Sequence, residues 1–417
     1  STGMNFKKFL ILGPGLVLAA TGVGGGDLAM GTIVGSLLGT AILWAVVVGA
    51  FIKFVVTEGL TRWQLATGNT FLEGLVDKAG PAIIWFFLPY LLLFSFFVGS
   101  AQMSAVGISL VALFPVFENP DHGKIIFGMG SSIIGIGLVL RGGYKLFEKI
   151  MSVCIAIMFV TVVVTAVALW PGTSEVLRGL FVPTIPNLSG IDSMGWTVAL
   201  IGGVGGTLTI MCYGYWLRED GRGGTEELWL CRIDLGAGYL MTAVFGIAMV
   251  IVGSTVEIEG QGTTLLVSLA DRLEEPLGIW GRWLFLIGAF GAVFSSLLGV
   301  WQSVPYLFAD SWRLLTKSFD ADAQEPVDTS GLPYRGFMVV LGIVPMIGLF
   351  WGFQQVQKFY AITGALFFPF LAVGLLIWNG RSDWIGSRYK NRPMTSVSLI
   401  GILLFFSWLA VRTLFGL

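Results

Sequence analysis

The chain has 417 residues, 55% of them hydrophobic and only 12% charged, about half the charge of a typical soluble domain. Its net charge of −1 provides no basic field for nucleic acid, and its three cysteines, Cys154, Cys212 and Cys231, form no CxxC pair that would point to zinc or a disulfide framework. The single histidine, His122, sits beside Asp121 in a polar loop, which excludes the several intramembrane imidazoles that a haem-carrying membrane subunit needs.

A membrane crossing needs about 20 apolar residues. Eleven stretches qualify, near 10–38, 41–66, 82–114, 124–140, 150–170, 194–217, 235–256, 283–309, 335–352, 358–379 and 396–415. They are spans 1 to 11 of an all-α polytopic membrane domain that fills the whole chain, 1–417. Ser1 to Gly3, ahead of Met4, are set aside as foreign to the natural start, and no cleavable signal peptide is expected. The stretch 263–277 is amphipathic and too charged to span, so a helix lying on the membrane face is predicted there.

Lys and Arg collect on cytoplasmic segments. With the N-terminus inside, 17 of them fall on the cytoplasmic side and 6 outside, with Lys53 left within span 2. The expectation is a multi-pass protein of the cell (inner) membrane, N-terminus cytoplasmic and C-terminus outside. Lys53 either snorkels to the interface or pairs with an acidic partner. Glu58 and Arg62, one turn apart near the inner end of span 2, read as a structural ion pair. Trp170, Trp280, Trp283 and Trp312, near span ends, read as interfacial anchors.

Two spans are interrupted. Span 1 contains Gly22-Val23-Gly24-Gly25-Gly26-Asp27, and span 6 contains Gly202-Gly203-Val204-Gly205-Gly206. Glycines also serve close helix packing, which is the competing reading, more so for span 6. A triple glycine before a carboxylate, however, frees backbone groups at mid-membrane, and that is tolerated only where they line a cavity. Spans 1 and 6 hold equivalent places in two five-span halves, the arrangement of inverted-repeat transporters. Secondary transport is therefore predicted. No filter loop of a channel, catalytic cluster of an enzyme or Walker motif of an ATP-driven pump is found.

The segment from Gly13-Pro14-Gly15 to Trp44, followed by Leu65-Ala66-Thr67-Gly68-Asn69, resembles the Nramp family of divalent-metal transporters. The family pattern GPA, DPGN, LLW and ATG runs onto it without gaps; the likeness is strongest over 13–75 and looser through spans 6, 8 and 10. The resemblance implies a LeuT-type fold: two inverted repeats, about 9–170 and 194–379, plus an extra helix at 396–415, with spans 1 and 6 broken.

The departures from the family are specific. Where the family has Asp-Pro-Gly-Asn, this chain has Gly24-Gly25-Gly26-Asp27, so the first metal-binding carboxylate is lost. At the family's Met-Pro-His in span 6 stand Thr209-Ile210-Met211, or Met211 matches the methionine if the alignment slips by two positions. The acidic relay positions of span 3 fall near Gly99 and Gln102, and the glutamine of span 10 is Phe367, ahead of Phe368-Pro369.

Two substrates remain open. A compact anion, bicarbonate being the favoured one, would approach the backbone at Gly24, Gly25, Gly26 and Asp27, with hydroxyls from Thr207 and Thr209 and with Phe367 nearby. Na⁺ would then be the coupling ion, held by Thr21, Gly22, Asp27, Ser295 and Ser296, where the serine pair could equally bond back to its own helix. The alternative is a divalent metal cation, Mg²⁺ or Mn²⁺, on Asp27 and Met211. In either case the expected partners are a small inorganic ion and the lipid bilayer, the transport unit is a monomer, and no cofactor is expected beyond the coupling ion.

Overall fold

The computed structural model describes residues 23–317 and 326–415, and among these it is helical throughout, with no strand. A π-helix, Val23–Met30, continues into α1 (Gly31–Leu38). Gly39, at φ 70°, and a 3-10 turn, Gly39–Ile42, then lead to α2 (Leu43–Thr67). A left-handed Gly68 closes α2, and a capping box in which Thr70 and Glu73 exchange bonds opens α3 (Phe71–Ala79). α4 (Ile84–Leu113) and α5 (Pro120–Ala168) follow, the latter started by Asn119, whose side chain accepts the Asp121 N–H at 2.9 Å. After α6 (Thr173–Phe181), span 6 is formed by α7 (Ser193–Gly203), a 3-10 turn (Leu208–Cys212) and α8 (Tyr213–Glu219).

The second half continues with α9 (Leu228–Gly253), α10 (Leu265–Thr316), α11 (Leu332–Ile343) and α12 (Phe353–Ala365). It closes with α13 (Phe368–Trp378), the short α14 (Ser382–Ile385) and α15 (Pro393–Phe415). Gly278, at φ 66°, divides α10 into 265–277 and 279–316, so the stretch expected as a separate helix ahead of span 8 is one.

Among the described residues, eight helical tracts are long and apolar enough to cross a membrane, or nine if α6 and the 159–168 segment, bent by 118°, make one span. The tract Gly26–Thr67 holds spans 1 and 2, divided at Gly39, and the shorter apolar helix Pro393–Leu409 corresponds to span 11. Spans 4 and 5 depart from expectation. The loop predicted at 141–149 is helical, so α5 runs unbroken from Pro120 to Ala168. That stretch has no proline, and Arg141, Lys145, Leu146, Glu148 and Lys149 favour helix against the two glycines at 142 and 143.

Apolar side chains lie on both sides of these helices. Phe86, Ile133 and Leu404 are exposed on the outside, as lipid contact requires, while Trp63, Trp216, Trp301 and Phe285 fill the interior. The predicted anchors Trp170, Trp280, Trp283 and Trp312 are all exposed. Helices approach closely where glycine permits: a Cβ on Gly202 would strike the Ala361 carbonyl of α12, and one on Gly49 would lie 3.0 Å from the Ile201 carbonyl.

Candidate functional site

The site forms where the π-helical tract of span 1 crosses the interruption of span 6. A Cβ on Gly26 would collide with the Gly203 carbonyl, so the two backbones touch. α7 ends at Gly203, and Gly205 and Gly206 take φ values of 75° and 87°, open to glycine at little cost. This turn aims the Gly205 N–H at Asp27, whose Oδ1 accepts it at 2.9 Å, and Asp27 is fully buried.

Lys53 enters from α2. It is fully buried, its Nζ donates to the Gly202 carbonyl at 2.8 Å, and it lies 5.4 Å from the centre of the Phe368 ring. It does not snorkel. Its partners are the end of α7 and the charge of Asp27, which acts on it across the site. Isolated charges in an apolar interior cost several kcal/mol each, so these two opposite charges stabilise one another. Lys53, Tyr239 and Thr242 surround Gly205, and the Tyr239 hydroxyl meets the Thr57 hydroxyl at 2.8 Å. Gly364 of α12 packs directly on Thr207.

Three oxygens at this crossing have no hydrogen-bond partner among the described residues: Asp27 Oδ2, Thr207 Oγ1 and Thr242 Oγ1. Buried polar atoms are nearly always satisfied, so three exceptions gathered at one crossing call for an explanation, and a bound ion is one. A carboxylate oxygen and two hydroxyls can accept a hard cation. Lys53 and the turn's N–H groups can attract an anion.

Other predicted residues scatter. Gly24 and Gly25 belong to the π-helix, and Thr21 and Gly22 lie outside the described residues. At Gly26 the place a side chain would take is filled by the Gly203 carbonyl of span 6. There the packing role of glycine is the one realised. Thr209 is buried. Met211 lines a small cavity with Gln64, Thr70 and Tyr213, a lining that does not include Asp27. Phe367 stacks on Tyr90 of α4 with ring centroids 4.8 Å apart. Ser295 donates to the Ala292 carbonyl of its own helix at 2.8 Å, and Ser296 beside it is fully buried. No group of three or more His, Cys, Asp or Glu able to hold a metal occurs among the described residues.

Sequence reasoning singled out Lys53 and left an acidic partner as one reading, but it did not identify Asp27 as that partner. It also missed Thr242 and Tyr239, which carry no motif. Gln102, near the relay positions that the resemblance implies, is fully buried with neither amide atom partnered among the described residues.

Two ionic clusters lie toward the ends of the spans. Glu58 pairs with Arg62 at 3.2 Å, as predicted, and also with Arg232 at 2.8 Å. Glu73 binds Arg218 at 2.7 Å and Arg313 at 2.5 Å, and Arg313 binds Asp310 at 2.6 Å. Burial opposes ionisation of Glu73, but the hydrogen bonds and charges of Arg218, the Thr70 N–H and Arg313 outweigh it and hold the carboxyl below its usual range.

The family model for natural resistance-associated macrophage protein-like (Nramp) sequences matches residues 15–416. An uncharacterized protein of Pasteurella multocida (strain Pm70) is 26% identical over 329 residues, covering 74% of this chain and 72% of its own length. The divalent metal cation transporter MntH of Klebsiella pneumoniae (strain 342) is 24% identical over 307 residues, 70% of this chain and 71% of its own length. Among solved structures, a point mutant of the Eremococcus coleocola manganese transporter aligns with a TM-score of 0.72 at 15% identity, over 99% of this chain and 88% of its own. MhsT in complex with L-phenylalanine aligns with a TM-score of 0.61 at 14% identity, over 96% and 97%. The fold is the LeuT-type fold.

Proposed function

This chain belongs to the Nramp family, and on that premise we propose that it is a secondary transporter carrying a divalent cation, Mg²⁺ or Mn²⁺, by alternating access. It is a multi-pass membrane transporter and not an enzyme. The observation that carries the cation reading is the buried, unpartnered Oδ2 of Asp27 at the crossing of spans 1 and 6. Thr207 and Thr242 add neutral oxygens, and such a small hard donor set suits an ion that keeps part of its water shell. Lys53 neutralises Asp27 when no substrate is bound, which lowers the cost of returning the empty site across the membrane. A bound cation competes with Lys53 for the carboxylate.

A second reading, Na⁺-coupled bicarbonate uptake, is favoured by one feature, the buried Lys53 ammonium beside unpartnered Thr207. Its backbone component is weakened because span 6 covers Gly26. Na⁺ would then sit between Asp27 and the Ser295–Ser296 pair.

Reconstituted liposomes separate the two. Mn²⁺ or Mg²⁺ entry above protein-free vesicles, abolished in Asp27→Asn, is expected. Bicarbonate uptake driven by an inward Na⁺ gradient, with no metal entry, would overturn the cation reading in favour of the second.

A further inference from the structure

Away from the transport site, a cavity of about 360 Å³ opens between the start of α9 and the segment joining α14 to α15. Arg62, Arg232, Arg388, Lys390 and Arg392 line it. Five cations face two carboxylates, Glu58 and Glu226, an excess of three positive charges.

The cavity is built rather than incidental. Glu58 fixes Arg232 through both Nε and Nη2, at 3.0 and 2.8 Å. Arg62 then donates to the Tyr389 carbonyl at 2.7 Å and to Asn391 Oδ1 at 2.9 Å. Asn391 is pinned again by its own N–H to the Asn379 carbonyl at 2.8 Å and by Nδ2 to the Leu375 carbonyl at 3.0 Å. Between and beside these anchors, Arg388, Lys390 and Arg392 remain exposed, with no carboxylate within 4 Å among the described residues. α15 begins at Pro393, so the unpaired N–H groups of a 23-residue helix open beside the same cations.

The flanks are apolar and outward. Trp229 is 70% exposed at the start of α9, and Met394 and Val397 are 79% and 69% exposed on α15. A cationic slot bordered by exposed apolar side chains has the chemistry of a membrane interface on its anionic-lipid side. All five cations belong to the side that the Lys and Arg distribution assigns to the cytoplasm.

We propose that this cavity binds the phosphate headgroup of an anionic phospholipid, with Arg388, Lys390 and Arg392 closing on the phosphate and the acyl chains lying along α15. Free phosphate shares the recognition chemistry but makes no use of the apolar flank.

The test compares the purified full chain with the triple variant R388A/K390A/R392A, whose side chains lie on the surface and outside the transport site. Thermal unfolding in detergent is followed during titration with phosphatidylglycerol, phosphatidylcholine or inorganic phosphate. Phosphatidylglycerol is expected to raise the melting temperature of the wild type, phosphatidylcholine is not, and the triple variant should need about 100-fold more phosphatidylglycerol for the same rise. Equal response of wild type and variant to phosphatidylglycerol would overturn the site. Protection by inorganic phosphate equal to that by phosphatidylglycerol would overturn the lipid assignment. The unliganded melting temperature of the variant reports its folding, and the single variant Arg388→Ala, expected to be about fivefold weaker, supplies the same comparison if the triple variant is unstable.

Discussion

The Lys53 ammonium donates 2.8 Å to the carbonyl of Gly202, so a side chain from span 2 caps the last turn of the first half of span 6. A helix leaves its last four carbonyls without intrahelical partners and carries partial negative charge there. At mid-membrane no water satisfies them. Lys53 therefore does two jobs: it closes the end of α7 and balances Asp27, which holds the Gly205 N–H three residues further along.

Replacing Lys53 by Met removes both. The expected result is a lower melting temperature, by the equivalent of about 3 kcal/mol, because a buried carboxylate loses its counter-charge. In protein that folds, Mn²⁺ binding should tighten about tenfold, since a repelling unit charge has left a partly screened site. Calorimetric titration of the purified variant measures this. Weaker Mn²⁺ binding in Lys53→Met would count against a cation site and for an anion.

Asp27→Asn preserves an acceptor for the Gly205 N–H while deleting the charge. Its melting temperature should fall by the equivalent of about 3 kcal/mol, because the buried Lys53 ammonium loses its counter-charge, and uptake is compared in protein that remains folded. Metal uptake into liposomes should fall at least about 100-fold, the loss of one charged ligand of a hard cation being worth roughly 3 kcal/mol. Wild-type uptake rates in this variant would remove Asp27 from the site.

Gly26→Ala tests the crossing itself. Its Cβ has no space because the Gly203 carbonyl occupies it, and backbone cannot yield as a flexible side chain would. Overpacking of this kind costs about 1–3 kcal/mol. A drop in melting temperature and reduced uptake are expected together. Gly39→Ala is the contrast in uptake: nothing lies within 4 Å, and its cost, about 1–3 kcal/mol, comes from backbone strain at φ 70° and ψ −161°, away from the crossing. Uptake by Gly39→Ala should stay near that of the wild type.

Much of this architecture was legible in the sequence. Apolar runs of span length and glycine clusters in spans 1 and 6 pointed to a polytopic helical domain with two interrupted spans, because each reports a local requirement of backbone in lipid. The Gly13–Asn69 resemblance implied the LeuT-type fold. The site was only half legible. Asp27 announces itself as an intramembrane carboxylate, but its relation to Lys53 joins residues 26 positions apart and Gly205 another 152 beyond, and no periodicity encodes such pairs. The glycines were ambiguous for a physical reason. A residue without a side chain admits either a ligand or another backbone, and at Gly26 it admits Gly203. Helix continuity through 141–149 was likewise hidden, since basic residues that favour the cytoplasm also favour helix.

Glu73 is almost wholly buried, and its carboxyl is held below the usual value near 4.5 by Arg218, Thr70 and Arg313 against the opposing effect of burial. A group whose folded pKa is depressed contributes stability that is present above its unfolded pKa and lost as pH falls through the folded one. The melting temperature should therefore hold from neutral pH down to about 5 and decline below it. Glu73→Gln should flatten that part of the acid decline while lowering the neutral melting temperature, because Arg218 and Arg313 then lose the carboxylate that joins α3, α8 and the end of α10. Melting curves of both proteins between about pH 3.5 and 7 measure the difference. Parallel acid declines would show that Glu73 is not the group that titrates. The neutral-pH loss would still read the strength of the ionic cluster, for which about 3 kcal/mol is expected, because the remaining guanidiniums are only partly reached by water and cannot recover the full interaction.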